Sequence, residues 1–285
     1  MSDDTSRRQV LLATGATGLT LLAGCGGGGG DDGTTTTTSE MMGDTTTTDS
    51  MMGETTTTDS TMGDTTTDSM MGTTTFTVEV ENVSTGSTLS TMGGSTAVPL
   101  SPVAYAAHTD QISLFTPGAA AGDALERLAE DGMAAPLAQS LGGAEAVLDG
   151  GAVATPDGTS NAGPLTPGDT YTAEFSASTD AAPRLSLATM FVQSNDLFYA
   201  PDPAGIPLVE DGEPREGTLT GELALWDAGT EVNQPPGEGG DQAPRQSGTD
   251  TGTPEGVVRT VADGYTYPDV SEVLSVTVRP GAMGG

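Results

Sequence analysis

Residues 26–75 contain too few large apolar side chains to build a hydrophobic core, so the length of the chain overstates its folded part. Glycine, threonine, serine and acidic residues dominate this stretch, and methionine is its only large apolar residue. Folding it would order about fifty residues at ~1–2 kcal/mol each, which a few methionines do not offset. We therefore expect a disordered stalk over 26–75 and a folded domain that begins at Phe76.

Residues 1–25 have the pattern of an export signal. Arg7 and Arg8 precede an apolar run over 10–22, and small residues follow that run up to Cys25. Twin arginines before a short apolar segment are typical of Tat signals, and small residues before a cysteine are typical of lipoprotein cleavage sites. We expect the chain to be exported and a lipid on Cys25 to hold it at the outer face of the cytoplasmic membrane.

The chain is strongly acidic, with 40 aspartate and glutamate residues against 8 basic residues and a formal net charge of −32. All the basic residues are arginines. Such a charge repels nucleic acids and anionic lipids, so no nucleic-acid partner is expected, and no membrane contact beyond the lipid anchor. A surplus of this size is typical of halophilic proteins, because high salt screens the self-repulsion. An acidic interaction surface is the alternative interpretation.

Strand patterns recur through the folded region. The first runs from Phe76 to Glu81, where apolar and polar residues alternate. Similar patterns occur at Tyr171–Ala177, Leu185–Val192, Gly221–Trp226 and Val273–Val278. Turns rich in proline and glycine separate them. This pattern predicts an all-β domain over 76–280, an antiparallel β-sandwich, followed by a short tail over 281–285.

One short helical insertion interrupts the strands. Asp123 is a plausible N-cap for a helix over 124–129, whose leucines and alanine share one face. A second helical turn is predicted over Ala135–Leu141, closed by Gly142.

Several segments of the folded region resemble one known family. They are Leu100-Ser101-Pro102 with His108, Leu128–Gly132, Ser194–Phe198, Trp226–Asn233 and Gln242–Gln246. In this order they resemble the spondin N-terminal domain in its prokaryotic form. The resemblance implies a C2-like β-sandwich with a bound calcium ion, and the animal relatives are extracellular-matrix proteins of cell adhesion. The chain departs from those relatives in having no thrombospondin-type repeats and no cysteines in the domain.

Calcium ligands are expected where acidic residues follow apolar strand segments. Asp196 and Asp227 each do so, and Glu231 lies four residues beyond Asp227, across the flexible Gly229. Calcium needs several oxygen ligands and tolerates irregular loops. With the family resemblance, this placement predicts that Asp196, Asp227 and Glu231 ligate one calcium ion. Since neighbouring antiparallel strands end at opposite edges, the two strands should be non-adjacent or lie in different sheets.

Few side chains are available for catalysis. The chain has one histidine, His108, one cysteine and no lysine, which excludes Schiff-base chemistry and zinc sites built on histidine and cysteine. A packed histidine at a strand end is the simpler interpretation of His108. Paired carboxylates for glycoside hydrolysis stay open. Core packing is the favoured role of Trp226, the only tryptophan.

These features predict a surface-displayed binding or adhesion module that binds calcium and is not an enzyme. Its partner would be a surface protein or glycan that the sequence does not identify. One alternative is a structural component of the cell envelope without a specific ligand, and another is an enzyme acting on surface glycans. A cleft with two facing carboxylates would favour the enzyme, whereas an exposed apolar or aromatic patch would favour adhesion.

Overall fold

The computed structural model describes residues 72–281, which form 15 β-strands and three α-helices. The strands are β1 (Thr73–Asn82), β2 (Leu89–Thr91), β3 (Gly94–Thr96), β4 (Val103–His108), β5 (Val147–Val153), β6 (Thr170–Ser178), β7 (Arg184–Met190), β8 (Leu197–Pro201), β9 (Ile206–Pro207), β10 (Val209–Glu210), β11 (Glu213–Pro214), β12 (Gly217–Thr218), β13 (Leu223–Asp227), β14 (Arg259–Thr260) and β15 (Leu274–Pro280). The helices are α1 (Asp123–Asp131), α2 (Ala134–Leu141) and α3 (Val270–Val273). None of the helices in this range is both long and apolar enough to span a bilayer.

Several predictions fall on residues outside this range. They are the export signal at Arg7 and Arg8, the lipid anchor at Cys25, nearly all of the stalk and most of the C-terminal tail.

Two antiparallel sheets form the body of the domain. The smaller has the strand order β12-β15-β1-β6, and the larger has the order β14-β13-β8-β7-β4-β5, with β9 also paired to β7. Side chains from both sheets build one core cluster, in which Phe76, Tyr171 and Leu187 are almost fully buried. Burial of each such side chain contributes about 1.5–3 kcal/mol. The predicted antiparallel β-sandwich with a helical insertion is confirmed.

Helices α1 and α2 pack against the larger sheet through a second cluster. It joins Leu125 and Leu128 of α1 to Phe198 of β8 and Trp226 of β13. The Trp226 indole N–H donates to the carbonyl oxygen of Ala200 at 3.1 Å. Trp226 is therefore a core residue, as its sequence context suggests, and α1 lies close to the ends of β8 and β13.

The structure corrects three boundaries. Strand β1 begins at Thr73, because the threonines before Phe76 pair with β6. The N-cap of α1 is Gly122 rather than Asp123, which lies in the first turn, where its negative charge favours the helix dipole. Helix α2 begins at Ala134, one residue earlier than predicted.

The order of the larger sheet brings two acidic residues to one edge. Strands β7 and β13 both pair antiparallel with β8, so they run parallel to each other and end at the same edge. Asp196 directly precedes β8, and Asp227 ends β13 opposite Leu197. The expectation that the two strands are non-adjacent is correct, since β8 lies between them.

Candidate metal centre

The three residues predicted as calcium ligands lie in one neighbourhood. The side chains of Asp196 and Asp227 are fully buried, and only 3% of Glu231 is exposed. The backbone N–H of Ala228 donates to the carbonyl oxygen of Asp196 at 3.2 Å. The segment that follows β13 therefore folds back over the start of β8.

The carboxylate of Asp227 is occupied by donors from the protein. Its Oδ1 accepts the backbone N–H of Gly229 at 2.7 Å. Its Oδ2 accepts the Asn233 side-chain amide and the Arg259 guanidinium, each at 2.9 Å. Burial is the largest cause of its raised pKa, and Arg259 opposes that rise. Asp227 thus acts as the anchor of an internal hydrogen-bond network.

The carboxylates of Asp196 and Glu231 also accept hydrogen bonds from the protein, except at one oxygen of Asp196. Asp196 Oδ2 accepts the backbone N–H groups of Thr230 and Glu231 at 2.8 and 3.0 Å. Glu231 accepts the Asn195 amide at 3.1 Å and the backbone N–H of Gly252 at 2.7 Å. Among the carboxylate oxygens of Asp196, Asp227 and Glu231, Asp196 Oδ1 is the one that is buried without a hydrogen-bond partner. Burial and the charge of Asp227 raise the pKa of Asp196 to about 7.

A different group of carboxylates converges more closely. Glu126 and Glu130 are one turn apart on α1, and Asp250 comes from the connection between β13 and β14. Within residues 72–281, only these three acidic, histidine or cysteine side chains place ligand atoms within 4.8 Å of one another. Glu130 is 3% exposed, Glu126 is half-buried and Asp250 is exposed. This group can hold a metal ion.

The connection that carries Asp250 is fastened at one end to α1 and at the other end to the segment that precedes α1. The Gln246 side-chain amide donates to Asp131 Oδ1 at 3.1 Å. The backbone N–H of Val258 donates to the carbonyl oxygen of Ala119 at 2.9 Å. Asp250 itself has a φ of 54°, a left-handed conformation that aspartate tolerates better than most residues. Two segments distant in sequence thus present their carboxylates to each other.

Glu130 is the electrostatic centre of this group. Its Oε2 is buried without a hydrogen-bond partner. Burial is the largest cause that raises its pKa to about 7, and the charges of Glu231, Glu126 and Asp250 add to it. A hydrogen bond from the Thr230 side chain opposes the rise.

The Thr230 hydroxyl does not satisfy both neighbouring carboxylates. It donates to Asp196 Oδ2 at 3.1 Å, and its closeness to Glu130 opposes the rise in the pKa of that carboxyl. A hydroxyl carries a single proton to donate, so it hydrogen-bonds fully to only one of them at a time. The acceptors in this region therefore outnumber the donors, which favours a cation.

The ligand chemistry favours a hard ion. All three side chains offer carboxylate oxygens, which suit calcium, magnesium and manganese, whereas zinc and copper prefer nitrogen or sulfur. Sequence reasoning missed Glu126, Glu130 and Asp250 as candidate ligands. The spacing of four residues between the two glutamates on a predicted helix was an available signal, because such residues share a face. Nothing in the sequence connects them with Asp250.

His108 does not form part of an open site. It ends β4 and is fully buried, with Nε2 2.8 Å from Ser186 Oγ. Its Nδ1 lies 2.5 Å from the carbonyl oxygen of Thr109 rather than near a carboxylate. Burial is the largest cause of its lowered pKa, and the charge of Arg184 lowers it further. This arrangement is that of a packed, hydrogen-bonded histidine.

The chain matches no family model and no curated protein. The resemblance to the spondin N-terminal domain therefore rests on the sequence segments given above and stays a prediction.

Proposed function

We propose that this chain is a calcium-dependent binding module without enzymatic activity, exported and held on the outer face of the cytoplasmic membrane by a lipid on Cys25. The proposal is carried by Glu130, a buried carboxylate whose Oε2 has no hydrogen-bond partner and which offers one oxygen within 4.8 Å of ligand atoms from Glu126 and Asp250. Its partner would be a surface protein or a glycan.

Charge balance supports a bound divalent cation. Two unit charges 4 Å apart repel by about 1 kcal/mol in water and by about 4 kcal/mol at the effective dielectric typical of sites near a protein surface. When ionised, Glu126, Glu130 and Asp250 place three such charges within 4.8 Å of one another. Arg127, the basic residue next to them in α1, is paired with Asp131 at 2.7 Å. A divalent cation between the three carboxylates attracts each of them, and this attraction offsets their mutual repulsion.

Calcium fits better than magnesium. It accepts six to eight oxygens in flexible geometry, including bidentate carboxylates, whereas magnesium demands a near-octahedral shell. Here the ligands come from a rigid helix and from a surface connection, so their geometry is irregular. The family resemblance also implies calcium. Asp196 stays a second candidate ligand because its Oδ1 is free, and the predicted set with Asp227 and Glu231 stays a prediction.

Calcium titration of the purified full chain by calorimetry, after treatment with a chelator, tests the proposal. We expect binding by wild type and a loss of at least about tenfold in affinity for Glu130→Gln, which keeps the size of the side chain but removes its charge. Glu213→Gln, on the exposed strand β11, is the matched control and should bind like wild type. Absence of calcium binding by wild type would overturn the proposal.

Asp227→Asn separates the two candidate sites in the same titration. If calcium binds between Glu126, Glu130 and Asp250, this variant keeps most of its affinity. Loss of binding in Asp227→Asn with normal binding in Glu130→Gln would instead place the ion at Asp196, Asp227 and Glu231.

A further inference from the structure

An open groove of about 360 Å³ lies between β13 and the segment that leads into α3. Its lining includes Leu225, Val261, Tyr265 and Tyr267, together with Asp263 and Asp269. None of these residues belongs to the candidate metal centre. The groove thus combines aromatic surface with two carboxylates.

The two tyrosine side chains that line the groove differ in how firmly the protein holds them. Tyr267 is held edge-on against Phe191, with ring centroids 5.9 Å apart, and its hydroxyl donates to Asp263 Oδ2 at 2.5 Å. Tyr265 leaves 40% of its surface exposed, and its backbone N–H donates to Asp263 Oδ1 at 2.9 Å. One ring is therefore fixed while the other is available to a ligand.

Both carboxylates of the groove keep acceptor capacity. Each oxygen of Asp263 receives one donor from the protein, and a carboxylate oxygen has room for about two. Asp269 is exposed and precedes α3, where its backbone carbonyl oxygen accepts the N–H of Glu272 at 2.9 Å and its backbone N–H donates to Glu272 Oε2 at 3.1 Å. A ligand with several N–H donors can therefore bind without displacing these internal bonds.

The groove is complementary to a positive charge. None of the residues that line it is basic. The nearby Arg259 is already paired with Asp227 at 2.9 Å and with Glu255 at 2.5 Å. The net charge of −32 further favours cations over anions at this surface. Tyrosine rings attract cations to their faces, and a guanidinium stacks on such rings. A guanidinium also forms bidentate hydrogen bonds with carboxylates.

We infer that this groove binds an arginine side chain of a basic partner protein. The guanidinium stacks on Tyr265 and donates to Asp263 and Asp269, while its aliphatic stem lies along Leu225 and Val261. This inference is independent of the metal centre, because it uses none of its residues.

The test is a titration of the ¹⁵N-labelled full chain, followed by NMR, with Nα-acetyl-arginine amide. Nα-acetyl-citrulline amide is the matched probe, since it has almost the same shape without the charge. We expect saturable shifts of the amide signals of Leu225, Gly264 and Tyr265 with the arginine compound, and affinity at least about fivefold weaker for the citrulline compound.

Variants locate the site in the same experiment. Tyr265→Ala removes an exposed ring, and Asp269→Asn removes a charge while keeping a good helix cap. Each should weaken arginine binding severalfold, whereas Glu213→Gln should not. Equal binding of the two probes, or shifts that map away from the groove, would overturn the inference. Stronger shifts of the same signals by methyl α-glucoside would also overturn it and assign the groove to neutral sugars.

Discussion

Glu231 donates its backbone N–H to Asp196 Oδ2 at 3.0 Å, so a direct hydrogen bond joins two residues that were predicted as joint calcium ligands. The same oxygen accepts the backbone N–H and the hydroxyl of Thr230. One oxygen of Asp196 thus closes the turn that follows β13, while the other has no donor. The turn brings Thr230 to Glu130 and so links the predicted ligands with the acidic group on α1.

Calcium should raise the melting temperature of wild type. Binding to the native state alone stabilises it by about 2.7 kcal/mol at a hundredfold excess over Kd, which corresponds to a rise of roughly 5–10 °C for a domain of this size. Glu130→Gln should lose most of this response, as measured by differential scanning calorimetry with calcium or chelator. Magnesium at the same concentration should have a smaller effect. A melting temperature indifferent to both ions would contradict the metal centre.

Stability of the calcium-free protein should decrease as the pH rises. The pKa of Glu130 is raised from 4.5 to about 7 in the folded state. Between these values the folded state binds more protons than the unfolded chain, so the free energy of unfolding falls with rising pH and levels off above about pH 7. Calcium binds the ionised carboxylates, so the stabilisation that it provides should grow over the same interval.

Urea denaturation between about pH 5 and pH 8 measures this dependence. Glu130→Gln should have a shallower slope than wild type in chelator, because one of the titrating groups is gone. Asp196, whose pKa is also raised to about 7, keeps part of the slope in the variant. Identical slopes for the two proteins would mean that Glu130 does not titrate in this interval.

Gly229→Ala should destabilise the domain strongly. Gly229 has a φ of 66°, and a Cβ there would overlap the backbone of Val257, whose nitrogen would lie 2.7 Å away. We expect a loss of ~3 kcal/mol or more in the free energy of unfolding. Gly168→Ala separates strain from overlap, since its φ is 87° but its Cβ would meet nothing within 4 Å. That variant should lose only about 1 kcal/mol in urea denaturation.

Export should depend on the N-terminal signal. Replacing Arg7 and Arg8 by lysine should retain the precursor inside the cell, because the Tat system recognises the arginine pair. Cys25→Ser should abolish labelling by radioactive fatty acid. It should also lower the share of the protein that is found with the membranes. Cell fractionation followed by immunoblotting measures both effects. Normal export of the double lysine variant would exclude a Tat signal.

The sequence predicts best those strands in which apolar and polar residues alternate. In β1 the side chains of Phe76, Val78 and Val80 are buried and the intervening ones are more exposed, and this period of two is visible in the sequence. Strand β8 was missed because all its residues, Leu197–Pro201, are buried and show no alternation. Strand β4 was missed for the same reason, since nearly all of Val103–His108 is buried.

The sequence shows only in part which acidic residues lie close together, because these residues meet through tertiary structure. Placement after apolar strands brought Asp196 and Asp227 together correctly, since sheet order follows from strand pairing. The donors that occupy Asp227 come from Asn233 and Arg259, and no local pattern reveals them. Asp250 reaches α1 through a long irregular connection, whose path depends on contacts such as that of Gln246 rather than on periodicity.

Strand β1 lies between two partners, with Thr73–Glu81 paired to β6 and Phe76–Asn82 paired to β15. Tension that reaches the domain from its N-terminal side enters at Thr73 and pulls along the axis of this strand. Antiparallel ladder bonds run perpendicular to the strands, so the pull loads both ladders in shear and their bonds must break together. If the proposed lipid on Cys25 anchors the chain, the domain would be held through a strand paired on both sides, which resists such a pull better than an edge strand.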